Sequence, residues 1–146
     1  MKKSILSLVA VAAMTVSVNA TDYRAEKAAA WTAKDVPSAI KGLYGDITPT
    51  ESGDIKLKAP KVASNGGAIP VSIKTDIPAK TIAIFQDVNP EAAVAIFEVP
   101  EGTEANFSLK IKMKKSGSIT AVVEGKDGKF YETKLSLEVA LGGCEG

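Results

Sequence analysis

From Asp54 onward, apolar side chains recur at every second position. "DIKLKA" sets Ile55, Leu57 and Ala59 against lysines, and "AIPVSIK" sets Ile69, Val71 and Ile73 against Pro70 and Ser72. "NFSLKIKM" does the same with Phe107, Leu109, Ile111 and Met113, and "YETKLSLEVAL" with Leu135, Leu137, Val139 and Leu141. A strand turns successive side chains to opposite faces, so these runs predict strands with one wet face. Residues 80–86, 92–99 and 118–124 are more continuously apolar, which predicts strands buried more fully. "PEAAVAIFEV" also fits a short helix, but Pro90 and Pro100 bound it and a strand is the better reading.

Turn residues punctuate these runs at Asn65-Gly66-Gly67, Asn89-Pro90, Pro100-Glu101-Gly102, Ser116-Gly117 and Lys126-Asp127-Gly128. The Asp-Gly pair predicts a tight hairpin with positive φ at both central positions. Before the strands, "TDYRAEKAAAWTAKDVPSAIKGLY" is rich in Ala, Lys and Glu, with Asp22 as cap of a helix reaching to about Ala33. Asp35 and Pro37 restart a shorter helical turn, which Gly42 and Gly45 stop. Trp31 is an anchor that docks this segment on the body or, alternatively, a partner surface. The expected architecture is mainly β: an immunoglobulin-like antiparallel β-sandwich of about seven strands over 46–141, after a helical segment at 21–45.

The first residues change the picture of where the chain works. "MKKSILSLVAVAAMTVSVNA" has a basic start, an apolar run from Ile5 to Val18 and a small residue at Ala20. This is the pattern of a secretory signal peptide over 1–20, cleaved after Ala20, and the run is shorter than a membrane span needs. No twin-arginine pair is present, which favours the general secretory route. The chain carries 18 Lys and Arg against 17 Asp and Glu, and losing Lys2 and Lys3 leaves 16 basic side chains, a net charge of −1. That balance disfavours nucleic acid or an anionic membrane as the main partner.

With no histidine among 146 residues, Ser-His and Cys-His nucleophile pairs and histidine-built zinc sites are excluded. The glycines form no dinucleotide fingerprint, and Glu91, Glu98, Glu101 and Glu104 show no spacing for paired acid and base. Lys110, Lys112, Lys114 and Lys115 form a basic face read either as protection against edge pairing or as an anion-guiding or docking surface.

One candidate for chemistry is left. The sole cysteine, Cys144, follows Gly142 and Gly143 at the end of the last predicted strand. Two residues without side chains make a hinge, and at ~3.5 Å per residue the thiol stands roughly 10 Å beyond the strand. Residues 142–146 therefore read as a flexible arm. An odd cysteine in an exported protein is a carrier thiol, an intermolecular disulfide or incidental, and the residues alone leave all three open. No basic neighbour activates it, so it suits a passenger site served by other proteins.

Three stretches resemble the SoxY family of sulfur carriers of periplasmic thiosulfate oxidation: "LKAPKVASNGGAIPVSI" (57–73), "VNPEAAVAIFEV" (88–99) and "EVALGGCEG" at the end. The last is similar to the family's terminal Gly-Gly-Cys-Gly-Gly and departs from it at Glu145. The resemblance implies a covalent substrate carrier, not an enzyme, working in the periplasm with no cofactor of its own. It implies attachment of sulfur intermediates at Cys144, with Gly142 and Gly143 as the hinge. It further implies a heterodimer with a SoxZ-like β-sandwich subunit, oxidative loading by a c-type haem protein and release of sulfate by a manganese-dependent hydrolase. The rival reading is an exported assembly module that uses Cys144 for an interchain disulfide.

Overall fold

The structure is a computed structural model that describes residues 20–140. Among these residues three short helices precede nine strands. Asp22 caps α1 (Tyr23–Glu26), its carboxylate accepting from the Arg24 and Ala25 amides. The expected continuous helix to Ala33 instead breaks at Lys27, whose φ of −124° and ψ of 41° are not helical, and α2 (Ala28–Thr32) follows. The break lets Trp31 fold back so that its Nε1 donates to the Tyr23 carbonyl at 2.9 Å, with the Arg24 guanidinium 4.5 Å above the ring. Trp31 is thus half-buried, and Ala30 supplies the deep contact.

Asp35 caps α3 (Val36–Tyr44), accepting from the Ser38 amide at 2.8 Å. Gly45, with φ +82°, ends the helix as expected. Gly42 does not stop it. It lies inside α3 where the helix crosses α2, and a Cβ there would come within 2.5 Å of the Ala30 nitrogen.

The strands are β1 (Thr50–Glu51), β2 (Ile55–Lys58), β3 (Val62–Ala63), β4 (Ile69–Thr75), β5 (Ala79–Gln86), β6 (Ala93–Glu98), β7 (Ala105–Ile111), β8 (Gly117–Gly125) and β9 (Phe130–Val139). Seven of these are the long strands of an immunoglobulin-like antiparallel sandwich. The large sheet runs β1-β9-β8-β5-β6 and the small one β2-β4-β7. The two-residue strands β1 and β3 add short parallel pairings to β9.

The molecule is layered as helices, large sheet, small sheet. Ile82, Ile84, Ile119, Ala121 and Val123 face the small sheet and meet Ile69, Val71 and Ile73 in one core. Ala83, Phe85 and Val122 face the other way, against Ala30, Ala39, Ile40 and Leu43 of the helices. Both faces of β5 and β8 are therefore covered, which is why their sequences lack a polar period. The similarly apolar β6 is only half-buried, because it forms the edge of its sheet. Phe97 on β6 stacks on Phe107 of β7 at 4.6 Å and closes that side of the sandwich.

The β8–β9 hairpin is where the Asp-Gly pair predicts it, but its turn differs. Only Gly128 has positive φ (+78°), and the Gly125 and Lys129 backbones pair around a Gly128 N–H to Gly125 carbonyl bond. This is a three-residue loop with a glycine bulge, and Asp127 keeps ordinary φ while accepting from the Lys129 amide.

Candidate functional site: where the last strand leaves the body

Cys144, Gly142 and Gly143 lie outside the described residues, as do residues 1–19. What the structure describes is the strand end that precedes residue 141. Strand β9 is held from both sides to its last residue. On one side the Glu138 amide donates to the Lys61 carbonyl at 2.8 Å and the Ala140 amide to the Ala63 carbonyl at 2.9 Å. On the other the Val139 amide donates to Ser116 Oγ at 2.9 Å. Alternating amides of one strand point to opposite neighbours, so three successive donors are taken up just before residue 141.

Ser116 is in turn held by a polar scaffold. Gln86, wholly buried at the end of β5, donates to the Glu91 carbonyl and accepts from the Val88 and Asn89 amides, each at 2.7 Å. This shapes the β5–β6 loop so that Asn89 donates to the Lys112 carbonyl and accepts from the Lys114 amide. Asp87 accepts from the Ser118 amide at 2.8 Å, and the Met113 amide donates to the Gly66 carbonyl. Residues 112–118 are thereby fixed beside the end of β9.

Ser116 and Asn89 read as turn residues in the sequence, and nothing in their spacing announced that they brace the chain terminus. Val62, the one large exposed apolar side chain among the described residues, sits on β3 beside the same strand end, opposite Glu138. Of the four lysines expected on one strand, only Lys110 is on β7; Lys112, Lys114 and Lys115 belong to the braced connection that follows. No group of three or more potential metal ligands occurs among the described residues.

Elsewhere two polar chains tie the helices to the large sheet. Tyr44 Oη lies 2.7 Å from Thr81 Oγ1, which donates to Glu124 at 2.8 Å. Tyr23 donates to Glu98 at 3.0 Å, and its phenol is pushed up to about 12, first by burial and then by that carboxylate. Burial raises Tyr44 further still. Both phenols stay neutral at ordinary pH and serve as struts.

The sequence matches the family model for the sulfur oxidation protein SoxY over residues 40–144. The chain belongs to the SoxY family. The solved structure of the sulfur carrier protein SoxY from Chlorobium limicola f thiosulfatophilum is 34% identical with a TM-score of 0.66, covering 72% of this chain and 96% of that one. The superoxide reductase (neelaredoxin) from Ignicoccus hospitalis is 18% identical, with a TM-score of 0.51 over 58% of this chain and 79% of its own, which shows a shared fold alone. Comparison with curated protein sequences finds no match. The SoxY match spans the sandwich, the braced end of β9 and the three residues Gly142, Gly143 and Cys144.

Proposed function

We propose that sulfur intermediates ride covalently on the Cys144 thiol of this chain while partner enzymes process them. The broader statement follows from family membership: the chain is a sulfur carrier of the Sox system, and SoxY proteins carry rather than catalyse. The observation that carries the finer reading is that the family match ends on residue 144, the sole cysteine, directly after two glycines. The architecture supports it. A rigid platform followed by glycines lets a side chain be offered to a partner's cleft while the body stays folded.

In this reading a c-type haem protein joins thiosulfate to Cys144 oxidatively. The thiol loses its proton and two electrons pass to the haem partner as the new sulfur–sulfur bond forms. A manganese-dependent hydrolase then adds water and releases sulfate, leaving a sulfane sulfur on the cysteine. A SoxZ-like subunit completes the carrier. Residues 1–20 act as a signal peptide, so the work is periplasmic.

Intact mass spectrometry after incubation with thiosulfate and the oxidising haem protein tests this. A thiosulfate-derived adduct on Cys144, absent in Cys144→Ser, is expected. An unmodified chain, or an adduct elsewhere, overturns the proposal.

A further inference from the structure

Among the described residues no helix covers the outer face of the small sheet, since the helices pack on the large one. Register fixes which side chains share it. Lys56 stands opposite Lys74, which stands opposite Asn106; Lys58 opposite Ser72, opposite Ser108; and Pro70 opposite Lys110. This face therefore shows four lysines and no acidic residue across the three strands. None of the four forms a salt bridge among the described residues. Lys56 donates to the Gly53 carbonyl at 3.2 Å, which leaves its charge uncompensated.

Such an arrangement costs stability. Like charges directly opposite one another on adjacent strands repel. Edge protection explains lysines on β2 and β7, which are edges, but not Lys74 on the central strand β4, which has no open edge to guard. With the chain near neutrality overall, the field is local to this face.

The face also has shape. β2 ends opposite Ser72, so β4 runs on past it, and the notch is a cavity of about 470 Å³ lined by Ala59 and Pro70 and flanked by Lys58 and Lys110, over the backbone of Val71 and Leu109, whose side chains turn into the core. It lies at the end of the sandwich from which β9 departs. Val62, four residues after Lys58, pairs with Glu138, and Met113, three after Lys110, starts the connection through Ser116 to Val139.

We propose that this face docks an acidic protein surface, that of the haem protein which loads the carrier. The lysines spread over about 10 Å across the strands and about 14 Å along them, which fits a field of carboxylates on a partner better than one small anion. The apolar notch gives that partner a desolvated centre inside a charged rim. For the identity of the visitor the proposal rests on the carrier reading; the surface itself does not.

The test separates the two. Binding of the haem protein to Cys144→Ser, which cannot be loaded, is measured by titration calorimetry at low and at about 0.3 M salt. Expected are salt-sensitive binding, a loss of ~10-fold or more in affinity with Lys58→Glu and Lys110→Glu combined, and little salt dependence in that variant. Unchanged melting temperature and unchanged alkylation of Cys144 by iodoacetamide in the otherwise native chain confirm that fold and thiol are intact. Equal affinity of the variant, or no binding at low salt, overturns the docking face. So does saturable competition by sulfate at constant ionic strength, which makes it a small-anion site. Binding without any adduct on native Cys144 sinks the carrier reading and leaves this one standing.

Discussion

Ser116 Oγ accepts the amide proton of Val139 at 2.9 Å, five residues before Cys144. The bond lies at the open end of β8, where Leu137 opposite Gly117 is the last backbone pairing, and it extends the grip on β9 by two residues. Its effect is to hold β9 through the last residues described before the cysteine.

Ser116→Ala removes that acceptor and leaves the β3 side as the only restraint. Because a single exposed hydrogen bond contributes about 1 kcal/mol, amide exchange at Val139 should rise by severalfold to ~10-fold while exchange at Val122 and Val123 stays unchanged. Hydrogen-exchange NMR reads both. Equal rates at Val139 in the two proteins would show that β3 alone holds the strand end.

Gln86→Leu strikes the scaffold one step further back. The side chain is buried and all its partners are backbone groups, so an apolar replacement strands the Val88 and Asn89 amides and the Glu91 carbonyl. An unpaired buried group costs about 1–3 kcal/mol, so destabilisation of about 3 kcal/mol or more is expected in urea unfolding. Disturbed Lys112 and Lys114 resonances should accompany it, since Asn89 holds both.

Gly42→Ala is a gain in helix propensity that should nevertheless destabilise. The added methyl would lie within 2.8 Å of backbone atoms of Ala29 and Ala30, which cannot move without separating α2 from α3. Overpacking of this kind costs about 1–3 kcal/mol and outweighs the ~1 kcal/mol that alanine gains over glycine in a helix. A melting temperature above that of the native chain would show that the two helices do not cross so closely.

How far the sequence could foretell these features depends on the distance over which each is encoded. The alternation at Ile69, Val71 and Ile73 is local and reports burial directly, and all three are in the core. The unbroken apolar run at 82–85 is local too, and reflects two covered faces. β1 and β3 carry no periodic signal because each is two residues long and exists through its parallel partner β9. The break at Lys27 is likewise nonlocal: an Ala-rich stretch favours a continuous helix, and tertiary contacts at Ala30 and Trp31 override it. At the functional end, Cys144 and its glycines stand out by type and position, whereas Ser116, Asn89 and Gln86 are common polar residues whose role appears only when β5, β8 and β9 are side by side.

High pH should unfasten the helices. In the unfolded chain the phenols of Tyr23 and Tyr44 ionise near 10, whereas in the fold Tyr23 holds its proton to about 12 and Tyr44 beyond that. Above pH 10 the unfolded chain therefore binds fewer protons than the folded one, and stability falls as pH rises. It is fully present below pH 10 and the share due to Tyr23 is lost by about 12. Tyr131, raised by its bond to Asp127, acts in the same direction. Tyr44→Phe should lower stability at neutral pH by about 1 kcal/mol, through loss of the bond to Thr81. It should also make the alkaline decline shallower, because a group that cannot ionise contributes no linkage. Urea midpoints of both proteins across pH 8 to 12 give the comparison. Parallel declines would mean that Tyr44 titrates in the fold as freely as in the unfolded chain, and that burial against the large sheet does not hold its proton.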